Sequence, residues 1–97
     1  MTFKGICIVE VSGQSCASCL SLMNELKNVD LPEDVNLIHI EIDEDQKEFI
    51  NQYQIDRLPT ILILKDDVEI SRCRGFQPEE ILSLWLNSKI LEARGKE

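Results

Sequence analysis

Two thiols separated by two residues, Cys16-Ala17-Ser18-Cys19, are the part of this chain best suited to chemistry. They follow an apolar run and a Ser-Gly-Gln-Ser turn and precede a helical pattern, so the pair is predicted to open a helix. Unpaired backbone N–H groups and the positive end of the helix dipole then face Cys16, which favours a thiolate there. A thiol with an ordinary pKa near 8.5 falls to about 3.5–7.5 in such a place. Cys19, one turn further on, is close enough to cleave a mixed disulfide formed at Cys16. A cysteine pair of this spacing is equally often half of a zinc site, so its surroundings must discriminate.

Other residues that could react have plainer readings. Cys7 and Cys73 are singletons and are expected to pack as small buried or half-buried apolar side chains. A four-cysteine metal site would have to draw them from separate strands, and neither a metal nor a cofactor is expected. His39 sits among apolar neighbours and reads as an ordinary sheet position. Glu10, inside Ile-Cys-Ile-Val-Glu-Val, is costly to bury when ionised, which suits it to taking up and releasing a proton. The alternative is a strand-edge carboxylate that reaches water.

The elements that must position these groups follow from periodicity. Phe3 to Val11 reads as a strand. From Cys16, the residues Leu20, Leu22, Met23 and Leu26 recur at helical spacing until Leu31-Pro32-Glu33-Asp34 interrupts them. Val35 to Ile42 alternates as a half-buried strand. Asp43-Glu44-Asp45 caps a shorter helix carrying Phe49, Ile50 and Tyr53. Thr60 to Leu64 reads as a buried strand, Lys65-Asp66-Asp67 as a turn and Val68 to Arg74 as the returning strand. Ile81, Leu82, Leu84, Trp85, Leu86, Ile90 and Leu91 form a closing apolar helix, with Ala93 to Glu97 expected to be loose. The order is βαβαββα, an α/β arrangement in which strand-helix-strand requires a parallel pair and the tight hairpin an antiparallel one. The sheet is therefore a mixed four-stranded one with helices on both faces.

Ninety-seven residues, 43% of them hydrophobic, suit one domain with one core. A net charge of −8 repels nucleic acid and anionic membrane surfaces alike. The apolar run near Met1 is broken by Glu10 and lacks a small-residue cleavage site, and no run approaches the roughly 18–20 residues of a membrane span. A cytoplasmic monomer is expected.

With strand, helix-opening cysteine pair and a Leu58-Pro59-Thr60 step about forty residues later, the chain resembles the thioredoxin family over nearly its whole length. The match is closest from Tyr53-Gln54-Ile55 through Leu58-Pro59-Thr60-Ile61-Leu62-Ile63-Leu64-Lys65 to Arg74-Gly75. The resemblance implies a thioredoxin-like fold and a thiol-disulfide oxidoreductase that reduces protein disulfides, with Cys16 attacking and Cys19 resolving. It also implies a cis peptide bond at Pro59 opposite the dithiol. Backbone groups around Leu58 would pair with an extended substrate segment, and Gly75 would leave room for it. Glu10 would take the place of the family's buried acid. Disulfide-containing proteins would be the substrates and a thioredoxin-reductase-like electron donor would recharge the protein.

The chain also departs from the family. Ser15 stands where Trp commonly precedes the first cysteine, Ala17-Ser18 replaces Gly-Pro, and Glu10 replaces the commoner Asp. Trp85 stands at core spacing in the last helix, far from the dithiol. The strand and helix that commonly precede the first strand are missing, which leaves the minimal arrangement that glutaredoxins share, without their Cys-Pro-Tyr-Cys motif. A rival reading from another class is a thioredoxin-fold binding module whose cysteines regulate or stabilise a protein contact.

Overall fold

In the computed structural model, which describes residues 3–95, the elements run β1 (Ile6–Ser12), α1 (Ala17–Leu26), β2 (Asn36–Glu41), α2 (Lys47–Tyr53), β3 (Thr60–Lys65), β4 (Val68–Arg74) and α3 (Glu79–Arg94). A 3-10 turn at Glu44–Gln46 leads into α2. The strands lie in the order β2-β1-β3-β4. β1 is parallel to β2 and antiparallel to β3, and β3 is antiparallel to β4, so the sheet is mixed as the connections require.

Because successive strand side chains point to opposite faces, the central strand β1 feeds two cores. Ile6 and Ile8 pack with Leu22 and Leu26 of α1 and with Leu82, Leu86, Ile90 and Ala93 of α3. Cys7, Val9 and Val11 meet Phe49 and Tyr53 of α2 on the other face. Every residue of β1 is buried, and β3 is buried from Thr60 to Leu64. Each such aliphatic side chain contributes about 1.5–3 kcal/mol. Trp85 is half-buried against the α1/α3 core, in the packing role expected of it.

Several boundaries differ from the sequence-based expectation. Phe3 precedes β1 instead of starting it: Gly5 adopts a left-handed φ of 73°, and the Phe3 ring packs edge-on to Phe49 and Tyr53 at 6.2 and 6.3 Å. β2 is one residue shorter at each end than Val35 to Ile42. Ala93 and Arg94 are not loose. α3 runs through both, Ala93 is fully buried, and the Arg94 guanidinium grips the Asp34 carboxylate through two bonds of 2.6 and 2.8 Å. An alanine fits core and tail equally well, so composition alone could not separate the two. Lys96 and Glu97 lie outside the described residues.

The β3–β4 hairpin turns on Asp66 and Asp67, both left-handed with φ of 48° and 71°, as a tight two-residue hairpin demands. Tyr53 Oη donates to the Asp67 carbonyl at 2.9 Å and Gly5 N–H to the Asp66 carboxylate at 2.8 Å. The hairpin is thereby fastened to α2 and to the chain entering β1. Among the described residues no helix is long and apolar enough to cross a membrane.

Candidate active site

The dithiol sits where the sheet hands over to α1. After Ser12 the chain turns through Gly13, Gln14 and Ser15, the last with a left-handed φ of 55°. A bulky or β-branched side chain would strain that backbone more than serine does. Cys16 follows in extended conformation as the N-cap of α1, its Sγ accepting the Cys19 N–H at 3.2 Å. Sulfur thus stands where a hydroxyl or carboxylate oxygen usually caps a helix. The Ser18 hydroxyl lies 3.6 Å from the same sulfur, and no acidic residue in the first turn opposes the helix dipole. Cys16 and Cys19 are joined as a disulfide with Cα atoms 5.3 Å apart. Cys16 is half-buried, whereas Cys19 is 2% exposed. One sulfur is reachable from outside and the other only through it.

The Leu58–Pro59 bond is cis, as the resemblance implied. Val11 pairs with Thr60 across the sheet, so Pro59 comes at the end of the sheet where β1 turns towards α1. Leu58 packs directly on that turn, since a Cβ added at Gly13 would lie 2.6 Å from Leu58 Cδ1. The buried Pro59 accepts the Gly75 N–H at 2.8 Å, and Gly75 holds a left-handed φ of 88°. A Cβ at Gly75 would find nothing nearer than the Arg57 guanidinium at 3.8 Å, so backbone angle rather than crowding calls for glycine. Cys16, Cys19, Leu58, Pro59 and Gly75, distant in sequence, all gather at one end of the sheet.

Glu10 lies on the face of β1 covered by α1 and α3 and is 2% exposed, so it is no strand-edge carboxylate in contact with water. Both of its oxygens are engaged. Ser12 Oγ donates to Oε2, and His39 Nδ1 lies 2.5 Å from Oε1. His39 is the register partner of Glu10 in the parallel β1–β2 pair, with a side chain 45% exposed. His39 does occupy a sheet position, as read from the sequence, and in addition its ring joins a buried carboxylate to the surface. Ser12 and His39 are the site residues that sequence reasoning missed. The available signal was an ionisable residue inside each of two largely apolar strands expected to lie in one sheet, Glu10 in the first and His39 in the second.

An open groove of about 550 Å³ runs beside the dithiol, lined by Ser12, Cys16, Cys19, Met23, His39 and Glu41 among others. The remaining cysteines stand apart from it. Cys7 is buried against α2, where loss of solvent raises its thiol pKa, aided by Asp67 and Asp66 and partly offset by the Asn36 side chain. Burial likewise raises that of Cys73 on β4. Both are free thiols, Cys7 buried and Cys73 half-buried, and neither pairs with the dithiol. Among the described residues no three His, Cys, Asp or Glu side chains converge on a metal-sized site.

Two cysteines joined as a disulfide at a helix start, one sulfur open and one covered, form a dithiol-exchange centre. The family description "Thioredoxin" matches residues 2–88. Thioredoxin from Chlamydia pneumoniae is 31% identical over 86 residues, covering 87% of this chain and 82% of its own length. Thioredoxin from Bacillus subtilis is 26% identical over 91 residues, covering 92% and 86%. Among solved structures, thioredoxin-2 of the malaria parasite superposes with a TM-score of 0.75 at 16% identity, over 87% of this chain and 82% of that one. Chloroplastic thioredoxin z does so at 0.70 and 28% identity, over 89% and 79%. The chain belongs to the thioredoxin family and is a thiol-disulfide oxidoreductase, with disulfide-bearing proteins and a reductase as its general kinds of partner.

Proposed function

We propose that this protein is a single-domain, monomeric, cytoplasmic reductant of protein disulfides, recharged by a thioredoxin-reductase-like donor. The observation that carries the assignment of roles is the unequal exposure of the two sulfurs, with Cys16 half-buried at the start of α1 and Cys19 covered behind it. Reduced Cys16 attacks a substrate disulfide, forming the mixed disulfide and releasing one substrate thiolate. Cys19 then attacks Cys16 Sγ, closing the protein disulfide and releasing the second. Glu10 takes the proton that Cys19 must lose. Backbone groups around Leu58, beside Pro59, pair with an extended segment of the substrate, and Gly75 leaves room for it to approach.

Reduction of insulin by the pure protein, compared with Cys16→Ser and Cys19→Ser, tests these roles. Cys16→Ser should lose all turnover. Cys19→Ser should also stop turning over but accumulate a mixed disulfide visible by mass. Equal activity in all three proteins would defeat the dithiol mechanism. The reduction potential of the Cys16–Cys19 pair decides direction: a value near the roughly −270 mV of strong reductants supports the reductant, and one near −120 mV makes the protein an oxidant.

A further inference from the structure

Glu10 is sealed from solvent, yet a proton acceptor that works every turnover must discharge its proton. The only side-chain groups bonded to its carboxylate among the described residues are the buried Ser12 hydroxyl and the His39 ring. Of the two, only the His39 ring reaches water, and its two nitrogens let it take up a proton on one side and give one up on the other. Its ring also lines the groove that Cys16 and Cys19 share. We propose that His39 is the proton relay of this site, carrying protons between Glu10 and solvent during closure of the dithiol. The proposal rests on the reading of Glu10 as the proton acceptor for Cys19.

The step balances without any further reagent. As the Cys19 sulfur bonds to Cys16 Sγ, the bond from Cys16 Sγ to the substrate sulfur breaks, and its electron pair leaves on the substrate, which takes a proton from water. The proton that Oε1 of Glu10 shares with Nδ1 of His39 moves onto the ring, the oxygen so freed takes the proton of Cys19, and an imidazolium is left beside Glu10. The ring then returns a proton to solvent. Reduction of the disulfide runs the same path backwards. Charged groups around the ring are few. Glu10 meets it from β1, Lys27 at the C-cap of α1 lines a smaller apolar recess with Glu10 and His39, and Glu41 follows on β2, with Cys16 and Cys19 across the groove. Lys27 is no substitute, because among the described residues it makes no bond to Glu10.

Stopped-flow reaction of the reduced protein with dithionitrobenzoate separates the two chemical steps. The first thionitrobenzoate reports attack by Cys16 and the second reports closure by Cys19. In His39→Gln the second release should slow about tenfold relative to the first at neutral pH, less than the roughly 10²–10⁴-fold of a direct acid or base. Its rate should lose the inflection between pH 5 and 8 that an imidazole supplies. Free imidazole should speed the second release in His39→Ala and not in the unaltered protein. Glu10→Gln is the control for the underlying reading. If it slows the second release while His39→Gln leaves rate and pH profile intact, Glu10 stands and the relay is overturned. If Glu10→Gln is itself as fast as the unaltered protein, both fall. Since His39 is the sole histidine, its ring resonances are unambiguous, and titration should move between the oxidised and reduced forms. A ring titration indifferent to the state of the dithiol would also overturn the relay.

Discussion

Gly13 is where the turn that presents Cys16 meets the step that presents Pro59. A methyl group there would have to displace Leu58 Cδ1 from 2.6 Å, closer than van der Waals contact allows. The obstacle is the tip of a flexible side chain, so Gly13→Ala should fold with a loss of about 1–3 kcal/mol, as overpacking usually costs. The same displacement moves Leu58 next to the cis-proline, so disulfide exchange should weaken along with stability. Leu58→Ala removes the obstructing atoms, and the double variant should recover more than the two single effects predict. A urea double-mutant cycle reads that coupling as a non-zero interaction energy, and strict additivity would show that the two positions do not press on each other.

At the scale of elements, α2 shows how a marginal helix is held. Seven residues are too few to be stable alone, and the helix ends in a left-handed Gln54 at φ 50°. Its last carbonyls are met by Arg72 of β4, whose guanidinium donates to Tyr53 O at 2.5 Å and Gln54 O at 3.3 Å while pairing with Glu69 at 2.6 and 2.8 Å. Hydrogen bonding to Glu69 raises the Arg72 pKa, so the charge persists at every ordinary pH. Arg72→Met should cost about 1.5–3 kcal/mol, in line with hydrogen bonds to a charged group. Amide exchange should quicken first in α2, and unchanged protection there would show the contacts to be idle. Periodicity made the existence and order of the elements readable, because each buries one stripe. It did not say which residues of the stripe go inside. Leu20 belongs to the helical pattern of α1 as clearly as Leu22, yet is 65% exposed, since only the position of α3 decides where the core ends. The pairing of Glu10 with His39 was hidden for a similar reason, being fixed by the β1–β2 register across 29 residues rather than by anything local. The dithiol was legible because its two sulfurs and the helix that serves them are neighbours in sequence.

Over the whole molecule, the buried thiols set how the fold responds to alkali. Cys7 is 1% exposed and Cys73 half-buried, and loss of solvent is the largest cause raising each pKa above the ordinary 9.0. Tyr53 is raised above 10.0 chiefly by the same cause. A group whose pKa is higher folded than unfolded binds its proton more tightly in the native state. Its contribution to stability is therefore complete below the unfolded pKa and disappears as pH rises through the folded one. The denaturation midpoint of the oxidised protein, in which Cys16 and Cys19 do not titrate, should accordingly be level up to about pH 8 and fall above about pH 9, with Tyr53 steepening the decline above about pH 10. The slope per buried thiol has an upper limit of about 1.4 kcal/mol per pH unit. Cys7→Val with Cys73→Val keeps apolar, strand-compatible side chains at both positions and removes the two thiol titrations. Urea melts at successive pH values should then show a shallower alkaline decline between about pH 8.5 and 10 than the unaltered protein, whatever the absolute stability of the variant. An identical slope would mean that the thiols ionise as readily folded as unfolded, and that both lie closer to water than their packing against the sheet implies.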